Sequence, residues 1–147
     1  MRVLLQRVAR AEVNVEGEAT GSIGPGSMAL VGVGPDDTAE VATTLAAKSC
    51  DLRIFRDEDG RTNRSLIDTG GAMLVISQFT LYGDTRKGRR PSFIGAAPAD
   101  LAAELVEVFG EAVEARGVEV GRGRFGAEMA VELVNDGPMT IWLDSDA

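Results

Sequence analysis

The segment Ala72–Ile76 constrains the fold more than any other part of the sequence, because it is five apolar residues in a row. A short apolar run without alternation is typical of a strand that lies buried in the centre of a sheet. A second, largely apolar strand covers Ser27 to Val33 and is closed by Gly34-Pro35. We therefore expect a β-rich domain built around a buried strand at residues 72–76.

The other elements follow from helical spacing, alternation and turn residues. Asp36–Thr38 can cap a helix that runs to about Ser49, and Pro98 opens a longer helix that ends at Gly117. Further strands are predicted at residues 2–9, 12–16, 52–55, 128–134 and 139–143, with a hairpin that returns towards Ile23. We expect one domain, residues 1–147, with about eight or nine strands and both helices on one side of a mainly antiparallel sheet system.

The chain contains no histidine and a single cysteine, Cys50. Without histidine there is no Ser-His-Asp triad, no Cys-His pair and no imidazole metal site within the chain. One cysteine excludes an intramolecular disulfide and a multi-cysteine zinc site, and we expect it to be a small buried hydrophobe. We expect neither a metal nor a cofactor, and an enzyme of this sequence works without the usual proton shuttle near neutral pH.

The net charge of −8 argues against a general binder of polyanions, but the charge is unevenly distributed. Between Tyr82 and Phe93, four basic residues stand against the single acidic residue Asp84, namely Arg86, Lys87, Arg89 and Arg90. A basic loop on an acidic body suits a phosphate site, and a solvated loop is the simpler alternative. Charge alone does not choose between them.

The first residues of the chain give no sign of export. The apolar run after Met1 breaks at Gln6 and Arg7, so it lacks the apolar core of a signal peptide. No stretch approaches the roughly 18 apolar residues of a membrane span. We expect a cytoplasmic protein that does not insert into membranes.

The first motif with chemical potential is Ser77-Gln78-Phe79-Thr80, directly after the buried strand. Polar residues at a strand end lie where a rigid scaffold can present a site. Ser77 and Thr80 are possible nucleophiles, but no histidine can activate them. Backbone N–H groups at the strand end could instead form an oxyanion hole. The alternative without a function is a strand end with local hydroxyl hydrogen bonds.

The second motif covers Asn135–Thr140 and contains Gly137-Pro138. It can be a tight turn between two strands. A bond before proline is the only peptide bond that readily adopts the cis form, so Gly137-Pro138 could also be a fixed cis kink. Its carbonyl oxygens would then be rigid acceptors, suited to recognising an amino group or to blocking one configuration at a carbon.

Together, Ser77-Gln78-Phe79-Thr80 and Asn135-x-Gly137-Pro138-x-Thr140 resemble the paired signature of the D-aminoacyl-tRNA deacylase family. The resemblance runs nearly from end to end and includes residues 6–8, 24–26, 52–55, 63–66, 86–93, 123–126 and 131–135. Two departures are small. Met139 stands where the family commonly has Val, which could alter the packing of the pocket, and Asp84-Thr85 differs mildly from the usual loop.

The resemblance implies a homodimer of a compact, β-rich α/β fold with β/β/α layers and an active site at the subunit interface. Residues Ser77 to Thr80 would come from one subunit, and the substrate-binding segment Gly137-Pro138-Met139 would reach in from the other. The implied reaction hydrolyses the ester between a D-amino acid and the 3′ adenosine of tRNA, with related action on mischarged glycyl-tRNA. The Gly-Pro carbonyls would exclude L-residues by clash, which discriminates more sharply than pocket affinity.

The expected mechanism needs little side-chain chemistry, because the ester is already activated. Backbone N–H groups around Gln78 and Phe79 would hold its carbonyl while water attacks, with help from a ribose hydroxyl of the RNA. A covalent Thr80 nucleophile is the alternative. Arg86, Lys87, Arg89 and Arg90 would contact phosphates of the acceptor stem. Arg7 could brace the Gly-Pro segment or be a surface cation. A cysteine-dependent hydrolase and a non-catalytic tRNA-binding module are the rival interpretations.

Overall fold

The computed structural model describes residues 1–147, which form eight strands, three α-helices and one short 3-10 helix. In chain order the elements are β1 (Arg2–Val15), β2 (Glu18–Ile23), β3 (Gly26–Gly32), α1 (Ala39–Asp51), β4 (Phe55–Arg56), β5 (Thr62–Arg64), α2 (Leu66–Thr69), β6 (Ala72–Ser77), the 3-10 helix (Phe79–Tyr82), α3 (Ala99–Ala115), β7 (Val120–Arg122) and β8 (Ala130–Asp144). None of the helices has the length and apolar composition that a membrane-spanning helix needs.

The long strand β1 organises the sheet because it pairs along both edges. On one edge its first half pairs antiparallel with β3 and its second half with β2. On the other edge it pairs antiparallel with β8 over most of its length. Since β8 pairs with Val8, Arg10 and Ala11, β1 is continuous and the predicted interruption between residues 9 and 12 is wrong. The predicted late strands are likewise joined as β8, because their pairing with β1 resumes after a register shift near Val8.

The apolar run Ala72–Ile76 belongs to β6, which lies inside the sheet as predicted. It pairs in parallel with β3 on one side and with β7 on the other, and residues Met73–Ile76 are buried. The sheet is therefore mixed: the pairings of β1 are antiparallel, as expected, while β3, β6 and β7 run parallel.

The sheet curls until β2 meets β7. Thr20 donates a hydrogen bond from Oγ1 to the carbonyl oxygen of Arg122 at 3.3 Å. Gly21 allows this approach, because a Cβ atom there would lie only 2.5 Å from the same oxygen. Apolar side chains fill the space between the curled parts of the sheet: Val8, Ala11, Val13, Ile23, Met28, Leu74 and Ile76.

A second and larger core lies between the sheet and the two long helices. Leu45 and Cys50 of α1 and Leu105 and Phe109 of α3 are buried there with side chains from β1, β3 and β6. Both long helices therefore cover one side of the sheet, as the sequence predicted. The two cores give the expected sequence of layers, two of β structure and one of helices.

Local chemistry fixes the helix ends. Thr38 caps α1 by accepting a hydrogen bond from the backbone N–H of Val41, and α3 begins directly after Pro98. Leu52, which was predicted to start a strand, instead donates its N–H to the Lys48 carbonyl and closes α1, so β4 is shorter than expected. The four-residue helix α2, held by a Ser65 capping box, was not predicted.

Candidate active site

The motif Ser77–Thr80 lies where β6 ends and the 3-10 helix begins. The backbone N–H of Gln78 donates to the Val31 carbonyl at 2.8 Å and so continues the pairing of β6 with β3. The next two N–H groups, of Phe79 and Thr80, are the first of the 3-10 helix and have no acceptor within it. The free donors at this strand end therefore belong to Phe79 and Thr80. The N–H group of Gln78, which was expected to help hold the ester carbonyl, is already bonded to Val31.

An apolar pocket of about 370 Å³ opens beside these donors. Ser77 and Phe79 form its edge on the strand side, and Phe93 and Phe125 line it from two loops. Phe79 and Phe93 meet edge to face, with ring centroids 5.2 Å apart. The remaining wall is made largely of small side chains at the start of α3 and just before it, which leave the volume open: Ala96, Ala97, Ala99 and Ala102.

Sequence reasoning did not place Phe93 or Phe125 in the site. Both belong to segments on which the family resemblance rests, residues 86–93 and 123–126. That resemblance was the only available signal, because the two residues are far apart in the chain and only the fold brings them to one pocket.

The side chain of Thr80 has no base beside it. Its hydroxyl accepts a hydrogen bond from the side-chain amide of Gln78, and both groups are exposed. An amide nitrogen cannot remove a proton, so this contact does not activate Thr80 as a nucleophile. Burial raises the pKa of nearby Tyr82 above its ordinary range, which keeps its hydroxyl neutral.

The single cysteine lies elsewhere. Cys50 is buried in the helix-side core, and this burial raises the pKa of its thiol to about 11. Because the thiolate is the reactive form, the thiol is inert near neutral pH, and the prediction of a packing residue is confirmed. No three His, Cys, Asp or Glu side chains cluster as metal ligands would.

The second motif forms a bulge in β8 with a cis Gly137–Pro138 peptide bond. Arg7 supports it from beneath: Nε donates to the Asp136 carbonyl at 2.8 Å, and Nη1 donates to the Ile54 carbonyl at 2.6 Å. Its side chain is only 5% exposed. Arg7 is therefore a buried brace and not a surface cation.

Two further features fix this bulge. The side-chain amide of Asn135 donates to the carbonyls of Arg7 and Met139, both at 3.0 Å. Gly137 has a φ of +132°, and a Cβ atom there would collide with the Arg7 guanidinium. A hydrogen bond from Arg56 also holds the pKa of the Asp136 carboxyl below its usual range.

The two motifs do not meet within one chain. Gly137 and Pro138 are exposed at the surface, and neither they nor Met139 line the apolar pocket. The side chain of Met139 packs against the helix-side core, so in this chain it faces inward. The structure thus brings Ser77 to Thr80 together at one site and Gly137 with Pro138 at another.

The basic loop projects from the body between Asp84 and Ser92, whose backbones exchange two hydrogen bonds of 2.7 and 2.9 Å. Arg86 turns back and holds the Asp84 carboxylate through two nitrogens, at 2.9 and 2.6 Å, and this holds the pKa of Asp84 at about 2. The charge of Arg86 is therefore compensated within the loop. The other three cations are exposed and make no ion pair: Lys87, Arg89 and Arg90.

Comparison with known proteins decides the family. The family model described as D-Tyr-tRNA(Tyr) deacylase matches residues 4–144. The chain belongs to this family. A protein of Deinococcus deserti named D-aminoacyl-tRNA deacylase is 60% identical over 144 residues, covering 98% of this chain and 99% of its own. One of the same name from Thermomicrobium roseum is 60% identical over 145 residues, covering 99% and 94%. The membership predicted from the paired motifs is confirmed.

The fold of the family is also found among solved structures. One described as c-Myc DNA Unwinding Element Binding Protein has a TM-score of 0.93 and 37% sequence identity, and the match covers 100% of both chains. The likeness extends over every layer of the molecule. The expected α/β fold with β-rich layers is confirmed.

Proposed function

We propose that this protein hydrolyses the ester of D-aminoacyl-tRNA, and of mischarged glycyl-tRNA, with a backbone oxyanion hole at the interface of a homodimer. The family supplies the reaction class, a hydrolase that acts on this ester. The observation that carries the mechanism is the pair of free N–H groups, of Phe79 and Thr80, at the mouth of an apolar pocket that holds no side-chain base.

The chemistry follows from these donors. The N–H groups of Phe79 and Thr80 hold the carbonyl oxygen of the ester and stabilise the negative charge that forms on it, at roughly 3 kcal/mol for each donor. The oxygen of a water molecule attacks the carbonyl carbon, and the bond to the ribose oxygen breaks. The water proton passes through a neighbouring ribose hydroxyl to the leaving oxygen. The products are the free amino acid and tRNA.

The apolar pocket suits the terminal adenine. Adenine is flat and largely apolar, and aromatic side chains such as Phe79 and Phe93 are the usual partners of unpaired bases. A base in this pocket places the ribose and its ester at the pocket mouth, next to the two N–H groups. The amino acid then points away from the pocket, out of the subunit.

The wall that selects D-residues comes from a second copy of the chain. Gly137 and Pro138 are exposed and braced by Arg7, yet they take no part in their own subunit's pocket. Large apolar side chains elsewhere on β8, Val134 and Trp142, are also exposed. An exposed apolar strand next to a rigid bulge is a surface that a second subunit would cover. The partner's bulge would then face the amino acid and reject L side chains.

The tRNA itself is held by the basic loop. Lys87, Arg89 and Arg90 are free to contact acceptor-stem phosphates, while Arg86 keeps the loop closed through Asp84. Of the four cations expected from the sequence to contact the tRNA, three would therefore do so, and Arg86 would support the loop. The cytoplasm, where aminoacyl-tRNA is made and used, is the proposed compartment.

One experiment tests the proposal. The protein is incubated with D-Tyr-tRNA and L-Tyr-tRNA, and loss of each ester is followed in parallel with its sedimentation as monomer or dimer. We expect rapid loss of the D-ester only, by a dimer. Binding without hydrolysis would favour the non-catalytic module, and equal hydrolysis of both esters would contradict the chiral wall. An active monomer would contradict the shared site.

A further inference from the structure

The 3-10 helix that presents the proposed oxyanion donors has little rigidity of its own. It is four residues long, none of its residues is buried, and Gln78 provides no side-chain cap. Hydrogen bonds in 3-10 helices also have poorer geometry than those in α-helices. An oxyanion hole stabilises charge only when its donors are already in place, so a contact from outside must hold this helix.

Arg2 makes that contact. Its Nη1 donates to the carbonyl of Leu81, the third residue of the 3-10 helix, at 2.9 Å. Its guanidinium carbon lies 4.4 Å from the ring centroid of Tyr82, the fourth residue of the helix. One side chain therefore holds the Leu81 carbonyl by a hydrogen bond and the Tyr82 ring by a cation–π contact.

The other side of Arg2 is fixed to the sheet. Nε donates to the Asp144 carboxylate at 3.3 Å, and the guanidinium lies 5.9 Å from the ring centroid of Trp142. The backbone of Arg2 is paired on both edges, with Gly32 of β3 and Asp144 of β8. The side chain thus starts from a backbone position paired on both edges and ends on the 3-10 helix.

We propose that Arg2 is a positioning residue for ester hydrolysis: it fixes the C-terminal end of the 3-10 helix and thereby aims the N–H groups of Phe79 and Thr80. This inference rests on the proposed function. Its geometry requires arginine, because only a planar guanidinium can bond Leu81 and Asp144 while stacking between two rings. A lysine would keep the positive charge but would lack the planar group with several N–H donors.

The rival role is a direct contact with phosphate. Arg2 also borders a polar cleft together with Arg86 and Ser92. A phosphate contact depends mainly on charge, whereas positioning depends on shape. Arg2→Lys therefore separates the two roles, and Arg2→Met removes both.

The test measures kcat and KM for D-Tyr-tRNA with the wild-type protein, Arg2→Lys and Arg2→Met. The matched control is Arg10→Lys, on the same strand, because Arg10 is exposed and makes no ion pair. We expect both Arg2 variants to lose about 10- to 100-fold in kcat with little change in KM, since a donor displaced by about 1 Å costs about that much. Arg10→Lys should behave as the wild type.

Other outcomes overturn the inference. A wild-type kcat in Arg2→Lys, with a raised KM only in Arg2→Met, would make Arg2 a phosphate contact. If the Arg2 variants do not fold, Tyr82→Leu removes the stacking surface instead, and an unchanged kcat there would refute the positioning role. A wild-type protein that leaves D-Tyr-tRNA intact would refute the proposed function itself, before any variant is compared.

Discussion

Two backbone segments carry the proposed chemistry, and the protein holds them differently. The bulge at Gly137 and Pro138 is supported by a buried arginine that bonds two carbonyls, and by Asn135 across its base. The 3-10 helix has no buried residue and is held mainly at its ends, by the Gln78 N–H at one end and Arg2 at the other. In the proposed mechanism the bulge rejects L side chains by clash and must be rigid, which its internal support provides. The 3-10 helix must admit water and RNA, and it is held near its two ends.

Removal of the internal brace should have the largest effect. Arg7→Met leaves the carbonyls of Asp136 and Ile54 without their donor. We expect the free energy of unfolding in urea to fall by about 3 kcal/mol, because the buried Ile54 carbonyl and the part-buried Asp136 carbonyl each lose a hydrogen bond from a charged donor. Hydrolysis of L-Tyr-tRNA should also rise relative to that of D-Tyr-tRNA.

The control is Arg56→Met, which removes the exposed ion pair with Asp136 at 2.9 Å and should cost less than about 1 kcal/mol. Equal losses of stability in the two variants would show that the buried Arg7 contacts support the bulge no better than the exposed Arg56 ion pair does.

The second largest effect is expected when a side chain is added to the bulge, which should reduce the selectivity for D-esters over L-esters. Gly137→Ala places a Cβ atom against the Arg7 guanidinium at a φ of +132°, so the bulge must shift. We expect a smaller ratio of D-ester to L-ester hydrolysis and a stability loss of about 2 kcal/mol. Gly60→Ala, at a φ of +77° in open space, controls for backbone strain alone. An unchanged D-to-L ratio in Gly137→Ala would argue against the wall.

Charge reversal in the basic loop tests whether this loop binds the tRNA. Reversal of Arg89 and Arg90 to Glu should lower the magnitude of the salt slope of tRNA binding by about 1.8, because each phosphate contact with a duplex such as the acceptor stem contributes about 0.9. A double variant with the same change in net charge, Arg10→Glu with Arg53→Glu, lies outside the loop and should leave the slope nearly unchanged. Equal slopes in the two double variants would mean that net charge, and not the loop, attracts the tRNA.

The smallest effect is expected from loss of the Thr80 hydroxyl. Thr80→Ala keeps the backbone N–H and loses only a hydroxyl that is bonded to the Gln78 amide. Single-turnover rates on D-Tyr-tRNA should fall by less than about tenfold. A loss of several orders of magnitude, with unchanged tRNA affinity, would restore Thr80 as the nucleophile.

Local patterns predicted much of the fold. The apolar run of β6, the Thr38 cap and the Pro98 start were all legible because each depends on neighbours in the chain. The parallel order of β3, β6 and β7 was not, since strand adjacency depends on contacts between distant segments. For the same reason the sequence suggested two late strands where β8 continues through its bulge.

The candidate site divides in the same way. The paired motifs and the family were evident in the sequence, and Arg7 was already a candidate brace. The use of the Gln78 N–H by Val31 could not be foreseen, because it depends on the register between two strands. The pairing of Arg86 with Asp84 depends on how the loop closes, so four equivalent cations were expected where the structure presents three.

The free N–H groups of the 3-10 helix have a consequence for inheritance. Every amino acid except proline carries this donor, so a codon change at position 79 or 80 rarely deletes the group that would do the chemistry. What such a change can damage is the shape of the surroundings. The substitutions expected to impair this protein therefore fall on residues that position the backbone, such as Arg2, Arg7 and Gly137, none of which needs to contact the bond that breaks.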